Sequence, residues 1–502
     1  MTSAATAASR AQLVNGKPSL FVDATGVLAS FGSPPTGIPR VERFLIDAAL
    51  SDPDGKVTAV RYDRRRRRFR ELNAFERKQL LSDLDLTCCE FRNSSTATIV
   101  ARAMQVVREN PAIGRDADRH FGNLAAGRRD GLAYSAFKTL FRVYRIYRKI
   151  IAAPRLFLAT KQARNIDAGA GMVLLSNPTV LGSFVGRAVK GTKRTAVICH
   201  DLIPMIRPDL TIDAAHARRF STNFAKLFRS RPVVLCTSQA AVGMVNDLLR
   251  NMPAVDLRVA RFPMPSVLLE HAKQRDGASK RRAAKPFVFY CSTIEARKNH
   301  LLLAQVWQKS QAEGVVLPKL VCAGKWGWGV DELVEFLARH PTLASSIDFV
   351  GPIGDDELVE YYRSALFGVV PSRIEGWGYC ASECLDFGLP VIIATDPALR
   401  EATRGMMPAI DPDDVDGWYR EIRRMTEDEN YRLSLHEQIA AKHRPTPSAA
   451  SFAAIKKALL DPSPSECATD SVEMSVSANK YPLIPTLGET DSAVHHETKA
   501  TI

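Results

Sequence analysis

Six residues have types and positions suited to chemistry on an anionic, hydroxyl-rich ligand: the carboxylates Glu375 and Glu383, the adjacent cations Arg297 and Lys298, and the pair His200-Asp201. A guanidinium offers phosphate a planar fork of donors and an ammonium a point charge. Carboxylates accept hydrogen bonds from sugar hydroxyls, and a His-Asp pair at a strand end can act as acid, base or hydroxyl ligand. Each also has a structural reading. Glu383 could be a solvated helix residue and His200 the end of a strand, with Asp201 in the turn. Arg297-Lys298 could be a basic helix start, which the helix dipole disfavours. Around Glu375, the glycines at 376 and 378 allow backbone to approach a ligand closely, and the amides of Trp377, Gly378 and Tyr379 would open a helix as donors. Gly37, in a turn after the first strand, stands where doubly wound folds receive phosphate, without the full glycine fingerprint. Gly324, Gly327 and Gly329 also lack dinucleotide spacing and are read as a tight loop.

The elements that must position these residues alternate. From Phe367 to Thr395 the order is apolar strand, loop, helix stopped by Gly388, and apolar strand. The same rhythm runs through strands at Phe287 to Cys291, Leu320 to Ala323 and Ile347 to Val350, with helices at Leu301 to Gln311, Asp331 to Ala338 and Asp356 to Ala365 between them. Earlier in the chain, Ser19 to Thr25 is expected as a strand, Gly26 to Pro35 as loop, and a helix follows from Thr36 with Val41, Phe44, Leu45 and Ile46 on one face. Further strands are expected at Val57 to Asp63, Met172 to Asn177, Ala196 to His200, Val233 to Thr237 and Leu257 to Phe262, with helices at Ala214 to Phe228 and Ala240 to Leu249. Repeated strand-helix units predict an α/β chain with two doubly wound, Rossmann-like domains. Ligands of such sheets sit beyond the carboxyl ends of the strands, which is where the candidate residues lie. The expected division is a leader (1–18), a first domain (19–272) with an insertion at about 70–170, a basic linker (273–285), a second domain (286–445), a helix crossing back (446–461) and a disordered tail (462–502).

Composition bounds the partners. Lys and Arg number 68 against 54 Asp and Glu, a net +14, which fits an anionic partner such as nucleotide, membrane surface or nucleic acid. The basic residues lack the aromatic interleaving of strand-binding sheets, which argues against nucleic acid. The arginines at 64–68 are read as a solvated loop or a lipid contact, and Ala136 to Ala152, with aromatics beside a cationic face, as an interfacial or an ordinary surface helix. The start of the chain has no secretory pattern, and no run approaches the roughly 20 apolar residues of a spanning helix, so a cytoplasmic protein is expected. The nine cysteines have no zinc-site spacing and are read as buried thiols, with a Cys380–Cys384 redox switch as the minor alternative. Asp-X-Asp patterns (Asp52/Asp54, Asp83/Asp85, Asp116/Asp118) fall outside the alternating regions, so no metal site is expected.

The segment PSRIEGWGYCASECLDFGLPVI resembles the E-x7-E element of the retaining GT-B-fold glycosyltransferases of family 4. TGIPRV, HDLIP, STIEARKNH, CAGKWGWG and VGPIGDDELVEYYRSA agree in order, so the resemblance extends from about Phe21 to Val391 apart from the insertion. It implies two domains facing across a cleft that closes on a nucleotide-sugar donor. Glu383 would hold the donor ribose, Glu375 the hydroxyls of the transferred sugar, and Arg297 and Lys298 the diphosphate, helped by backbone at Gly37, Gly378 and Tyr379. His200 and Asp201 would face sugar and acceptor, and no metal would be needed. TGIPRV and HDLIP are similar to mannosyltransferases of bacterial surface polysaccharide assembly. That implies a hexose donor, GDP-mannose by preference and a UDP- or dTDP-sugar otherwise. The acceptor would be a glycan or lipid-linked glycan, with residues 64–70 and 136–152 resting on the inner face of the cytoplasmic membrane. Trp377, Tyr379 and Cys384 depart from the commoner pattern of Phe, Leu or Pro, and Ala. The rival readings are a nucleotide-sugar epimerase on the same fold and a catalytically idle scaffold.

Overall fold

The computed structural model describes residues 20–30, 37–81, 165–166, 171–252, 255–275 and 286–460. Short apolar runs become strands buried on both faces. In the first sheet, Phe21, Val173, Leu175, Val197, Cys199, Val234 and Cys236 pack into one core layer. Their strand neighbours Leu20, Val22, Met172, Leu174, Ala196, Ile198 and Leu235 pack into the layer on the other side. Alternation with period two puts both sets inside, as a parallel sheet covered by helices requires.

That sheet contains β1 (Leu20–Asp23), β2 (Val57–Asp63), β3 (Arg68–Glu71), β4 (Met172–Leu175), β5 (Arg194–Cys199), β6 (Val233–Cys236) and β7 (Val259–Arg261) in the order β3-β2-β1-β4-β5-β6-β7. All neighbours are parallel except β2 and β3. The second sheet contains β8 (Phe287–Cys291), β9 (Lys319–Ala323), β10 (Ile347–Gly351), β11 (Phe367–Val370), β12 (Val391–Ala394) and β13 (Ala409–Ile410) in the order β10-β9-β8-β11-β12-β13. Its chain runs outward from β8 to β10, then returns on the other side of β8 as β11. The crevice between the carboxyl ends of β8 and β11 is therefore the switch point at which such sheets bind ligands.

Three expectations need correction. The helix Thr25–Ser30 takes up Thr25, expected as strand, and residues 26–30, expected as loop, and is started by the Thr25 amide and hydroxyl on the Asp23 carboxylate. The insertion does not begin at 70. Arg68–Glu71 is the edge strand of a β2-β3 hairpin, and the helix Ala74–Leu81 follows it. The arginine run obscured this alternation: Phe69 enters the core while Arg70, 3% exposed, forms an ion pair of 2.7 Å with Glu76. Glu76 and Asn73 accept each other's amides at 2.9 and 2.8 Å, a reciprocal cap. Arg64 to Arg68 are exposed around the hairpin turn. Finally, the helix Val267–Gln274 runs into the first residues assigned to the linker. The leader, the 136–152 segment and the tail lie outside the described residues. Among the described residues no helix is long and apolar enough to cross a membrane.

The domains are in contact. Ile374, from the loop after β11, is buried in a core layer of the first sheet, and Trp377 and Tyr379 pack on the other layer. The final described helix, Ser448–Leu460, returns to the first domain, burying Phe452, Ile455 and Leu459 beside the helix Ile38–Leu50. Phe452 meets Phe44 edge-on with ring centres 6.4 Å apart.

Candidate active site

The switch point brings three of the candidate residues together. Arg297 and Lys298 end the 3-10 turn Ala296–Lys298 just after β8, and Glu375 lies in the loop after β11. Arg297 Nη1 donates to Glu375 Oε2 at 2.8 Å and Lys298 Nζ to Oε1 at 2.5 Å, so one carboxylate holds both cations. Arg297 is fixed further by Glu295 at 2.8 Å and by the Ile374 carbonyl at 2.9 Å. Asn299, in the left-handed region at φ 59°, ends the turn, and its amide group donates to the Pro371 and Pro412 carbonyls. Glu375 is 6% exposed. Burial alone would raise its pKa, but the Lys298 and Arg297 charges win and hold it down at about 2. It is a permanently ionised hydrogen-bond acceptor.

The first domain supplies His200 and Asp201, immediately after β5. The His200 carbonyl is so close to Gly376 that a Cβ there would lie 2.2 Å from its oxygen. The Gly376 carbonyl in turn accepts Ser238 Oγ at 2.5 Å and Thr237 Oγ1 at 3.3 Å, both from the turn after β6. The two domains thus meet backbone to backbone beside Glu375, at a position that admits only glycine. His200 Nε2 lies 3.1 Å from the Ser176 carbonyl, which can only accept, so the proton sits on Nε2 and Nδ1 is left as an acceptor. Burial lowers the His200 pKa to about 4, keeping the ring neutral at pH 7. Asp201 is raised by burial, an effect opposed first by the Arg297 charge. Its Oδ1 accepts the Ile203 amide at 3.0 Å.

Glu383 occupies a separate place, in the helix Tyr379–Asp386. It is 5% exposed, which excludes the solvated-helix reading. Oε2 accepts the Tyr362 hydroxyl at 2.8 Å, and Oε1 accepts Arg40, which comes from the first domain. A second nitrogen of Arg40 pairs with Asp355 at 2.5 Å. Arg40 was missed as a site residue. Its signal was present in TGIPRV, but nothing local identifies its partners, which are far along the chain. Gly37, at φ 43°, caps the same helix two residues before Pro39, and Gly378, at φ 95°, starts the Glu383 helix. A Cβ on Gly378 would also lie 2.5 Å from Leu399 Cδ2. The Tyr379 hydroxyl is shielded from solvent and has no hydrogen-bond partner. Cys380 and Cys384 are buried free thiols inside this helix.

Asp396, also missed, lies behind Glu375 and accepts its amide at 3.4 Å. The same carboxylate caps the helix Pro397–Ala402 through the amides of Ala398 and Leu399. Burial, with the Glu375 charge, raises its pKa to about 7.

Residues 273–442 match the family described as glycosyl transferases group 1. The structure of Anabaena HepE, solved with UDP and glucose, superposes with a TM-score of 0.51 at 12% identity, covering 89% of this chain and 100% of that one. The fold is GT-B, and the match to the group 1 family falls on the second domain. This domain contains Arg297, Lys298, Glu375 and Glu383, whereas His200, Asp201 and Arg40 precede it. Among curated proteins, the O-antigen chain mannosyltransferase B of Escherichia coli is 30% identical over 146 residues, 29% of this chain and 38% of that one. The serotype-specific mannosyltransferase WbdA of Escherichia coli is 28% identical over 215 residues, 41% of this chain and 26% of that one. The matches therefore span well under half of these relatives' lengths.

Proposed function

We propose that the protein transfers a hexose, mannose by preference, from a nucleotide-diphosphate sugar to a hydroxyl of a glycan or lipid-linked glycan, with retention of configuration and without a metal ion. The observation that carries this reading is the convergence of Arg297 and Lys298 on Glu375 at the β8–β11 switch point, against His200 and Asp201 from the other domain. A departing nucleoside diphosphate gathers negative charge, and two fixed cations in a shielded site stabilise that charge without reorganisation. Glu375 keeps both cations in position and remains an anion, so its role toward the transferred sugar is to accept hydroxyl protons in hydrogen bonds, not to act as a general acid. Neutral His200 and the adjacent Asp201 face the sugar and the incoming hydroxyl. Glu383 takes the ribose, and the backbone at Gly378, Tyr379 and Gly37 lies beside the diphosphate.

The names of the two Escherichia coli relatives support mannose, and with it GDP-mannose as donor and O-antigen or related surface polysaccharide as product. UDP- and dTDP-sugars are the alternatives. The reading places the protein on the inner face of the cytoplasmic membrane, with the exposed Arg64 to Arg68 turn and the 136–152 segment toward anionic lipid.

A thermal-shift panel of GDP, UDP, dTDP and ADP with their common sugar conjugates, with and without EDTA, tests the assignment. One nucleotide family should stabilise the protein irrespective of EDTA. A ligand at a hundred times its dissociation constant contributes about 2.7 kcal/mol, and the effect should vanish in Glu383→Ala. Silence across the panel refutes the assignment.

A further inference from the structure

Arg40 has no role in the proposed transfer, yet it is paired with Glu383, where the donor ribose would bind. Arg40 is in the first turn of the helix Ile38–Leu50, and 7% of its side chain is exposed. Its two nitrogens reach Glu383 and Asp355, both on the opposite domain. Both oxygens of Glu383 are engaged, one by Arg40 and the other by the Tyr362 hydroxyl. A carboxylate oxygen can accept more than one hydrogen bond, but Glu383 is 5% exposed with Arg40 against it, so a ribose diol reaches it only if Arg40 moves aside. Removing a shielded guanidinium from two carboxylates is costly unless another anion receives it. A nucleoside brings no such anion, whereas a nucleoside diphosphate does. The neighbouring Asp356 pairs with His271 at 2.8 Å and Arg275 at 2.5 Å, in and just after the helix Val267–Gln274, which buries Leu268 and Ala272 in the second domain's core. The start of the helix Asp355–Ser364 meets the first domain through Arg40, which is more deeply shielded than either partner of Asp356.

We propose that Arg40 is an exchangeable counter-ion of the donor site: without donor it fills the ribose place on Glu383, and with donor it passes to the phosphate groups. This rests on the reading of the Glu375–Glu383 segment as a nucleotide-sugar site. It makes the site selective for ligands that carry both a ribose and a phosphate, since either group alone leaves a charge unpaired. It also ties occupancy to domain contact, because the exchanged residue belongs to one domain and its carboxylates to the other.

The test is calorimetric affinity for matched pairs, guanosine with GDP, uridine with UDP and adenosine with ADP, in the wild type, Arg40→Ala, Arg40→Lys and Asp355→Asn. With its competitor gone, Arg40→Ala should bind the nucleoside more tightly than the wild type does. Its preference for the diphosphate over the nucleoside should fall by about tenfold or more, the scale of one lost charge-assisted hydrogen bond. Arg40→Lys should keep part of that preference, having the charge without the fork. Asp355→Asn, which loosens Arg40 while leaving Glu383 intact, should tighten both ligands. If the Arg40 variants weaken nucleoside and diphosphate alike or leave their ratio unchanged, or if Asp355→Asn weakens both ligands, Arg40 is a structural tie and the proposal fails alone. If the wild type binds none of the pairs, the donor-site reading fails and takes the proposal with it. Should Arg40→Ala not fold, the lysine and asparagine variants decide.

Discussion

At the scale of single residues, the active-site charges are held before any donor arrives. Glu375 accepts from two cations, one of which is also bound to Glu295, so the two cations are fixed without a ligand. Replacing Arg297 or Lys298 by alanine should therefore lower turnover by about a hundredfold or more, the usual cost of losing one donor aimed at developing charge. Steady-state transfer assays on each variant check this, and undiminished turnover in both would remove them from the mechanism. These cations, Glu375 and Glu383 were legible in the sequence because each follows or opens a recognisable strand or helix. Their pairing was not. Two cations at a strand tip suggest an empty anion site, and only the adjacency of β8 and β11 shows that Glu375 already occupies it. Arg40 was illegible for a stronger reason: its carboxylate partner at Glu383 is 343 positions away.

At the scale of elements, loops placed by short parallel strands carry the site, and glycines set how closely the pieces approach. Two of them make a contrast. A Cβ at Gly368, within β11, would lie 2.6 Å from Cys384 Sγ, inside the core of the second domain. A Cβ at Gly376 would lie 2.2 Å from the His200 carbonyl oxygen, between domains. Gly368→Ala should thus lower unfolding stability by about 1–3 kcal/mol through overpacking. Gly376→Ala should leave stability nearly unchanged and reduce kcat/KM by about a hundredfold, the cost of an ångström-scale misplacement of reacting groups. Urea unfolding and transfer kinetics on both proteins separate the two effects, and equal behaviour would contradict the assignment of Gly376 to the domain contact. The alternation of strands and helices was readable here, but the β2-β3 hairpin was not, because a charged edge strand lacks the apolar run that marks a buried one.

At the scale of the whole molecule, the chain leaves the second domain and its last described helix packs on the first. The helix Ser448–Leu460 contributes Phe452, Ile455 and Leu459 to the core beside Ile38–Leu50, the helix that presents Gly37 and Arg40. Ser451 Oγ donates to the Pro263 carbonyl at 2.7 Å, and Ser448 bonds Glu270, which fastens the returning segment at both side chain and backbone. Phe452→Ala should destabilise the protein by about 3–5 kcal/mol, as for other buried aromatics, in urea or thermal unfolding. A change below about 1 kcal/mol would show that the returning helix is not part of the first domain's core.

The sequence by itself determined the class of structure and the local chemistry. Hydrophobic period and glycine positions are properties of neighbouring residues, so strands, helices, strand-tip loops and the residue types on them can be read along the chain. The tertiary structure alone decided the order of strands, the occupation of Glu375 by Arg297 and Lys298, the backbone meeting of Gly376 with His200, and the capture of Glu383 by Arg40. Each of those depends on segments far apart in sequence, brought together by burying apolar faces whose packing carries no mark of which distant partner they will meet.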